Sequence, residues 1–318
     1  MTPTPSDHFN GKTFFNPGGD SPRGLADVLK WRLTSRATPW PKHVEVARQA
    51  LPPAPAGDGI VATWVGQSTF LIRSATSAVL TDPVFSDTAG PLPGLGPRRV
   101  AVPGIDFDAL PRVDVVLLSH DPYDHCDVPT LRRLARRDDP LIVAPLGHRP
   151  LLSGAGFQRV VELDWWQEHD CGKGLSATLV PARHWSRRTP FGTNRRLWGG
   201  FMLRIGGRLV YFAGDSGFHE GLFAEIGRRC GAPDLAMIPI GAYEPRWFME
   251  SAHMNPAEAV RVHREVGARR SVAMHWGTFQ LTDEGRLEPV RALTEALGRA
   301  GLGPGEFSSP EIGASVSV

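Results

Sequence analysis

Residues 119–125 read Ser-His-Asp-Pro-Tyr-Asp-His, and they directly follow the apolar run Val113-Asp-Val-Val-Leu-Leu118. The apolar run predicts a strand that is buried on both faces. A loop at the end of such a strand presents its side chains from a rigid scaffold. Imidazole nitrogens and carboxylate oxygens are the ligands that a hydrolytic Zn²⁺ takes, three from the protein with one position left for water. The stretch is therefore a candidate for one part of a metal site at a strand end.

Three more polar sites follow predicted strands. His184 comes after the run at 178–182, Gly214-Asp-Ser-Gly217 after the run at 209–213, and His275 after Val272-Ala-Met274. Taken alone, a His after a strand is usually a satisfied polar residue, and Gly-Asp-Ser-Gly is typical of a turn. Four such placements in one chain favour a shared metal site.

The rest of the pattern is that of an α/β protein. Short β-type runs come first, and strands and helices alternate after them. Helices are predicted at 128–137, at 223–230 and at 256–266, the last with Asn255 as its N-cap and Pro256 at its first position. Strands are predicted at 60–65, 69–72, 78–81, 113–118, 141–144, 177–181, 200–205, 209–213, 235–239 and 270–273.

Composition excludes several classes of protein. The chain has 318 residues, 41% of them hydrophobic, with a formal net charge of +2, which suits a globular protein and gives no sign of disorder or of a basic nucleic-acid-binding stripe. Cys126, Cys171 and Cys230 are far apart, so neither a disulfide framework nor a structural zinc knuckle is expected. No secretion signal and no apolar run of about 18 residues is found. We expect a soluble, cytoplasmic protein without a nucleic-acid partner.

The first 59 residues differ from the rest. They are rich in Gly and Pro and predict an irregular extension packed on the domain formed by residues 60–318. Within the extension, residues 25–31 place Leu25, Val28 and Leu29 at helical spacing. This segment is a short helix docked on the domain or a helix on a membrane surface, so a peripheral membrane contact stays open.

These motifs together resemble the metallo-β-lactamase superfamily, and within it the branch of N-acyl-phosphatidylethanolamine-hydrolysing phospholipase D-like proteins. The resemblance extends over about residues 60–310. Besides the sites above, it rests on Thr63-Trp-Val-Gly-Gln-Ser-Thr69, Leu80-Thr-Asp-Pro-Val-Phe85, Glu162-Leu-Asp-Trp-Trp166, His184-Trp185, Phe212-Ala-Gly-Asp-Ser216, Ile238-Pro-Ile-Gly-Ala-Tyr-Glu-Pro-Arg-Trp-Phe248 and His275-Trp-Gly-Thr-Phe279.

The resemblance implies a four-layer α/β/β/α sandwich with two metals in a cleft at the sheet ends. It implies that one metal takes His120 and His184, that the other takes Asp124, His125 and His275, and that Asp215 bridges them. By the same resemblance Asp82 supports a ligand from behind, and Asp124 and His253 take part in catalysis. Zinc is the expected metal, one or two per chain, although Mn and Fe suit the same donors.

One ligand of the family pattern His-x-His-x-Asp-His is missing. The second His is Pro122 here, and its side chain has no donor atom. The metal position of His120, His184 and Asp215 therefore keeps three protein ligands, which is sufficient for zinc but weaker than the four at the other position. Gln67 likewise stands where the branch often has His, and is an acceptable polar replacement.

Four residues are candidates to fill the gap left by Pro122. The Asp121 side chain is expected to point away in an extended loop, and Cys126 is expected to be a small apolar residue. His219 and His253 are better candidates. For His253 we favour contact with the substrate or a developing oxyanion over metal ligation.

The function implied is that of a metal-dependent hydrolase. A phosphodiesterase acting on a lipid-like ester, with a metal-bound hydroxide as nucleophile, is the first hypothesis. The Gly-x-Ser-x-Gly elbow of serine hydrolases is absent. A lactonase or another carbon-ester hydrolase is the alternative enzyme. A degenerate substrate-binding or sensing protein with one metal or none is the alternative from another class, and Pro122 is the residue that favours it.

Overall fold

Two seven-stranded sheets carry the fold in a computed structural model that describes residues 6–19, 23–189 and 191–318. The first sheet contains β1 Val61–Gly66, β2 Thr69–Arg73, β3 Ala78–Thr81, β4 Val115–Leu117, β5 Leu141–Pro145, β6 Val160–Leu163 and β14 Ser315–Ser317. The second contains β7 Glu168–Gly172, β8 Leu175–Val180, β9 Gly200–Ile205, β10 Arg208–Phe212, β11 Leu235–Pro239, β12 Ser271–Met274 and β13 Phe307–Ser308.

The helices cover the outer faces of the sheets or lie in the segments that connect the strands. They are α1 Leu25–Thr34, α2 Val128–Arg137, α3 Arg149–Gly154, α4 Leu222–Cys230, α5 Arg246–Met249, α6 Pro256–Glu265 and α7 Glu288–Ala300, with a 3₁₀ turn at Phe107–Ala109. In the described part of the chain, none of the helices combines the length and the apolar character that crossing a bilayer requires.

The strand order brings the functional loops to one edge. The first sheet runs β14-β1-β2-β3-β4-β5-β6, and it is parallel from β3 to β6. The second runs β13-β12-β11-β10-β9-β8-β7, and it is parallel from β10 to β13. Two antiparallel steps separate β10 from β8, so β8 points the same way as β10. The loops that follow β8, β10 and β12 therefore emerge at a common edge.

Burial on both faces explains why the central strands read as continuous apolar runs. In β4, Val115 and Leu117 lie in the core between the two sheets, whereas Val116 packs on the outer side with Leu131 of α2 and Leu152 of α3. On the second sheet the outer layer is α4, α6 and α7, whose buried side chains belong to the same contiguous apolar cluster as the strand residues of that sheet. The layers are therefore α/β/β/α, and the predicted four-layer sandwich is confirmed.

The predicted elements are confirmed where apolar periodicity is strong. The strands at 78–81, 200–205 and 235–239 and the helix at 128–137 have the predicted bounds. The strand predicted at 113–118 is shorter, because Asp138 accepts from the amide of Val113, and Asp114 accepts from that of Ala78 at the strand entry. Helix α6 begins as predicted, with the Asn255 side chain accepting from the Glu258 amide.

The N-terminal segment docks on the domain through α1. Trp31 donates from Nε1 to Asp283 at 3.1 Å, and its ring lies 4.9 Å from that of Phe248. On the outer face Leu29 and Leu33 are 59% and 77% exposed. The predicted helix at 25–31 is therefore present and docked, and membrane contact of its outer face stays a hypothesis. The division at residue 60 also stays a prediction; residues 1–5 and 20–22 of the extension and the Leu25 side chain lie outside the description.

Candidate metal centre

All six predicted metal ligands meet at the common edge of the two sheets. They form two groups that share Asp215, and within each group one donor atom per residue lies within 4.8 Å of the others. The four-residue group consists of Asp124, His125, Asp215 and His275. The three-residue group consists of His120, His184 and Asp215.

The four-residue group has the spacing of a metal site. Oδ2 of Asp215 lies 3.1 Å from Nε2 of His125 and 3.1 Å from Nε2 of His275. Oδ2 of Asp124 lies 3.4 and 3.3 Å from the same two nitrogens. Ligands placed tetrahedrally at zinc distances are about 3.3 Å apart, so this group fits a single divalent ion. The three-residue group is wider, since Nε2 of His120 is 3.9 Å from Asp215.

Hydrogen bonds behind the imidazoles direct their Nε2 atoms to the centre. Nδ1 of His125 lies 2.6 Å from Oδ2 of the buried Asp82. Nδ1 of His184 donates to the carbonyl of Ala252 at 2.9 Å. A neutral imidazole that donates from Nδ1, the form that ligates a metal, has its lone pair on Nε2. The expected supporting role of Asp82 is therefore present in the hydrogen bonding.

His120 is oriented in the same way through Ser119. The hydroxyl of Ser119 donates to Asp82 and lies 2.9 Å from Nδ1 of His120. Because that hydroxyl has a single hydrogen and gives it to Asp82, it accepts from Nδ1 of His120. Nε2 of His120 therefore faces the centre with a lone pair.

Unsatisfied buried atoms test whether a metal fits. Among the described residues, Nε2 of His120 and Oδ1 of Asp215 are buried without a hydrogen-bond partner. Leaving such a group unpaired costs about 1–3 kcal/mol. A cation between these atoms would satisfy both, so the donors present fit the divalent metals that the sequence predicted.

The electrostatics of the centre favour positive charge. Burial alone would raise the pKa of the Asp215 carboxyl, but the charges of His125 and His275 outweigh it and hold that pKa well below its usual range. Burial alone would lower the pKa of His275, but Asp215 and Asp124 raise it to about 9. Protonated imidazoles therefore balance the buried carboxylates of the metal-free chain, which is the charge that a metal would replace.

In the three-residue group the pKa values of the two histidines are lowered rather than raised. Burial lowers the pKa of His184, and it lowers that of His120 well below the usual range. Both imidazoles are therefore neutral at pH 7, which is the form that ligates a metal. Fewer carboxylates and the wider spacing make this the weaker of the two candidate positions.

The gap at Pro122 is not filled by three of the four candidates. Pro122 borders the cleft, and Asp121 points away to pair with Arg196 at 2.7 Å, as expected. Cys126 lies in the apolar cluster under α2, where burial raises the pKa of its thiol to about 12. The prediction for His219 is wrong, because this residue does not border the metal cleft but lines a separate cavity together with Ala182 and Arg183.

His253 lies between the two groups and belongs to neither. Its Nδ1 is 3.9 Å from Oδ2 of Asp215, and its ring is 5.1 Å from that of His184 and 5.6 Å from that of His275. Burial lowers the pKa of His253 to about 3. The residue therefore offers a neutral imidazole beside Asp215, the carboxylate that the two groups share.

Gln67 has a role that sequence reasoning missed. Its side-chain amide donates to Oδ2 of Asp124 at 3.0 Å, and its backbone carbonyl accepts from the backbone amide of His275 at 3.0 Å. Gln67 thus orients one ligand and fixes the backbone of another. The signal in the sequence was its place in the tight turn after β1. In the structure Gln67 takes a positive φ of 50° in that turn.

A cleft of about 350 Å³ opens above both groups. Its acidic lining residues are the candidate ligands Asp124 and Asp215, and arginines and apolar side chains surround them. The N-terminal helix α1 forms one wall, which the sequence did not predict. The cationic and large apolar lining residues are Arg23, Arg32, Arg187, Val28, Trp31, Trp185, Phe248, Met249 and Leu281.

A four-layer α/β/β/α sandwich with paired His and Asp groups at the sheet ends is the arrangement of the metallo-β-lactamase fold, to which the metal-dependent hydrolases similar to this chain belong. A family model described as the beta-lactamase superfamily domain matches residues 77–276. N-acyl-phosphatidylethanolamine-hydrolyzing phospholipase D 1 of Caenorhabditis elegans is 38% identical over 312 residues, which cover 91% of this chain and 87% of that protein. The chain belongs to the beta-lactamase superfamily, in its N-acyl-phosphatidylethanolamine-hydrolysing phospholipase D-like branch.

A second relative and two solved structures are also similar to this chain, the structures in fold alone. The mitochondrial N-acyl-phosphatidylethanolamine-hydrolyzing phospholipase D of Saccharomyces cerevisiae is 36% identical over 79% of this chain, which spans about half (54%) of that protein. Igni18, a metallo hydrolase of Ignicoccus hospitalis, has a similar fold with a TM-score of 0.60 and 20% identity, covering 82% of this chain and 98% of that one. CmlA, a diiron β-hydroxylase of Streptomyces venezuelae, has a similar fold with a TM-score of 0.62 and 21% identity, covering 84% of this chain and 55% of that one.

Proposed function

We propose that this hydrolase is a phosphodiesterase that cleaves an amphipathic, lipid-like diester. The observation that carries the proposal is the composition of the cleft: arginines and large apolar side chains surround two metal-ligand groups that share one carboxylate. A phosphodiester is a monoanion, which suits a guanidinium-lined site, and the apolar wall suits the carbon chain of a lipid. The name of the C. elegans relative agrees with this substrate class.

The metals of this proposal are two zinc ions, although manganese and iron suit the same donors. Asp124, His125 and His275 would hold one ion, His120 and His184 the other, and Asp215 both. When bound, such a pair supplies Lewis acidity and makes hydroxide available near neutral pH.

The proposed reaction consumes one water molecule. A new bond forms between the water oxygen and phosphorus, and the bond from phosphorus to the head-group alcohol breaks, leaving a phosphate monoester and a free alcohol. Asp124, whose Oδ2 is held by Gln67, accepts a proton of the attacking water on Oδ1. His253 donates a hydrogen bond to a phosphoryl oxygen, because a neutral imidazole beside Asp215 has a donor to offer. The proton that Asp124 accepts passes to the leaving oxygen, which departs as the alcohol, so the proton balance closes.

The deciding experiment compares substrates on metal-loaded protein. N-acyl-phosphatidylethanolamine in mixed micelles and bis(p-nitrophenyl) phosphate test the diester reaction, and p-nitrophenyl butyrate and a γ-lactone test carbon esters. We expect diester turnover, with release of an alcohol and a phosphate monoester, and its loss in Asp215→Ala. Faster turnover of the carbon esters would replace the proposal with a lactonase or esterase.

Pro122 favours a second candidate, a binding or sensing protein with one metal or none. Tight binding of N-acyl-phosphatidylethanolamine without turnover of any of the four substrates would support it. The same assay tests His253: His253→Ala is expected to lower kcat by about 10²-fold, the range for loss of one donor to a developing oxyanion. An unchanged kcat with a raised KM would assign His253 to substrate binding alone.

A further inference from the structure

Four of the six candidate metal ligands lie on two loops that belong to different sheets. His120, Asp124 and His125 lie on the loop after β4 of the first sheet, and His184 lies on the loop between β8 and β9 of the second. Core packing fixes the sheets, but the loops extend beyond the strand ends. The distance between the two metal positions therefore depends on contacts that join one loop to the other.

Arg188 makes such a contact. It lies four residues after His184, and its Nη1 donates to the carbonyl of Asp121 at 3.0 Å and to that of Cys126 at 2.7 Å. These carbonyls stand on either side of Asp124 and His125. One guanidinium of the second loop therefore holds both ends of the ligand segment of the first.

Tyr123 makes the reciprocal contact, from the first loop to the second. Its hydroxyl donates to the carbonyl of Arg188 at 2.7 Å, and the guanidinium carbon of Arg188 lies 4.3 Å from the centre of its ring. A cation over a tyrosine face adds about 0.5–1 kcal/mol at exposed sites and more when desolvated. The side chains of Arg188 and Tyr123 thus each bind the main chain of the opposite loop.

A second arginine ties the same loops. Nη1 of Arg196 pairs with Oδ2 of the fully buried Asp121 at 2.7 Å, and its Nε donates to the carbonyl of Gly147. Arg196 lies close to β9, so this pair anchors the start of the ligand segment. Among these contacts, only that of Arg188 reaches Cys126, at the other end of the ligand segment beyond His125.

We propose that Arg188 is a positioning residue that sets the placement of Asp124 and His125 relative to His184, and with it the geometry of the metal pair. The proposal rests on the metal site but not on the diester substrate. Arg188 borders the groove outside the metal cleft, beside Tyr123 and α2, and so acts through the ligand loop rather than by touching substrate.

The test measures metals directly. Arg188→Met, Arg188→Lys and Tyr123→Phe are compared with wild type by cobalt titration, with the d–d absorption spectrum as the readout of ligand geometry. Arg188→Met is expected to weaken cobalt binding about 10–100-fold, the range for loss of a group that orients a ligand, and to change the spectrum. Arg188→Lys, which keeps one donor, is expected to recover part of the affinity. The matched control is Arg195→Met, which removes an exposed arginine of the same loop.

The outcomes separate positioning from simple stability. Wild-type cobalt affinity and spectrum in Arg188→Met, with or without a lower Tm, would overturn the proposal. If Arg188→Met does not fold, Arg188→Lys and Tyr123→Phe decide it by the same criterion. A wild-type chain that binds no cobalt would also overturn it, whereas one that binds cobalt but does not hydrolyse diesters would reject only the proposed function.

Discussion

Asp82 lies 2.6 Å from Nδ1 of His125, and both side chains are completely buried behind the metal centre. The same carboxylate accepts from the amide of Ser119 at 2.7 Å and from its hydroxyl, which in turn orients His120. One carboxylate that touches neither proposed metal position thus directs an imidazole toward each of them.

The first prediction concerns Asp82→Asn. The amide removes the negative charge and presents an N–H where Asp82 accepts three hydrogen bonds, so the rings of His120 and His125 lose their orientation. We expect metal affinity to fall about 10–100-fold, measured by competition with a chelator. Asp108→Asn, at a carboxylate whose side chain is 88% exposed, is the control. Equal affinities for Asp82→Asn and wild type would show that Asp82 has no part in metal binding.

The second prediction concerns Asp215→Ala. Asp215 is the residue shared by both candidate groups, so its removal is expected to empty both positions, because each group loses a ligand and two neighbouring cations lose the carboxylate that screens their repulsion. Elemental analysis after dialysis measures the metal content per chain. If Asp215 were only a turn residue, its replacement would leave the metal content unchanged. Retention of two metals with full activity would make the ligand assignment wrong.

The sequence predicts the parts of this site that depend on local signals. An apolar run bounded by Gly, Asp or His predicts β3, β4, β11 and the loops that follow them. It does not predict β7, an edge strand whose side chains alternate between exposed and half-buried, with His169 and Cys171 half-buried. It also misses α7, although Pro289 in the first turn and Gly301 at the end are ordinary helix signals.

Contacts between distant segments were beyond sequence reasoning for a physical reason. Arg188 reaches carbonyls 67 and 62 residues away, and backbone acceptors have no signature in a sequence. Trp31 enters the cleft wall because Asp283 accepts its indole N–H across 252 residues. Such pairings follow from the packing of the layers, which the strand pattern outlines but does not place.

The third prediction concerns the pH dependence of the N-terminal segment. His8 is buried, stacks on Trp165 at 3.9 Å and lies 2.9 Å from Asp164. Burial alone would lower the pKa of His8, but Asp164 and Asp7 outweigh it and raise that pKa above 6.5. The stabilisation from protonated His8 is therefore complete below pH 6.5 and is lost as the pH rises through the higher folded-state pKa.

The partner carboxylate sets the acid limit. Burial alone would raise the pKa of Asp164, but His8 outweighs it and lowers that pKa below 3.8, so its contribution is lost as the pH falls through the folded-state value. His8→Ala is expected to cost about 1–3 kcal/mol near pH 5.5 and less near pH 8.5, measured by urea unfolding. His43→Ala, at an exposed histidine, is the control. A cost that is equal at both pH values would contradict the ion pair.

The fourth prediction concerns the order of metal uptake. Four donors against three predict two steps when metal is titrated into chelated protein, the four-residue group filling first. In the metal-free chain Asp215 and Asp124 outweigh burial and raise the pKa of His275 to about 9 and that of His125 well above its usual range. Filling that group at pH 7 therefore releases the protons of both imidazoles, and its apparent affinity rises with pH until both are deprotonated. Calorimetry in buffers of different ionisation enthalpy measures the release. A single step at two equivalents would count against unequal sites.

The last prediction concerns Pro122→His. A histidine at 122 supplies a third imidazole to the position of His120, His184 and Asp215, so metal at the weaker titration step should bind at least 10-fold more tightly while the stronger step stays unchanged. Proline fixes its own φ near −65° and restricts Asp121 before it, so a looser loop offsets part of the gain. Pro122→Ala is the control, because it loosens the loop without adding a donor.

Three results of this substitution have different meanings. Tighter metal binding with faster diester turnover means that Pro122 weakens a two-metal hydrolase, since the added ligand restores both properties at once. Tighter binding without turnover favours the binding or sensing protein, because metal occupancy is then not what limits hydrolysis. Unchanged affinity and stoichiometry mean that the position is already complete or unused; His253, with Nδ1 3.9 Å from Asp215, is then the residue to replace, and loss of the weaker metal in His253→Ala would identify it as the missing ligand.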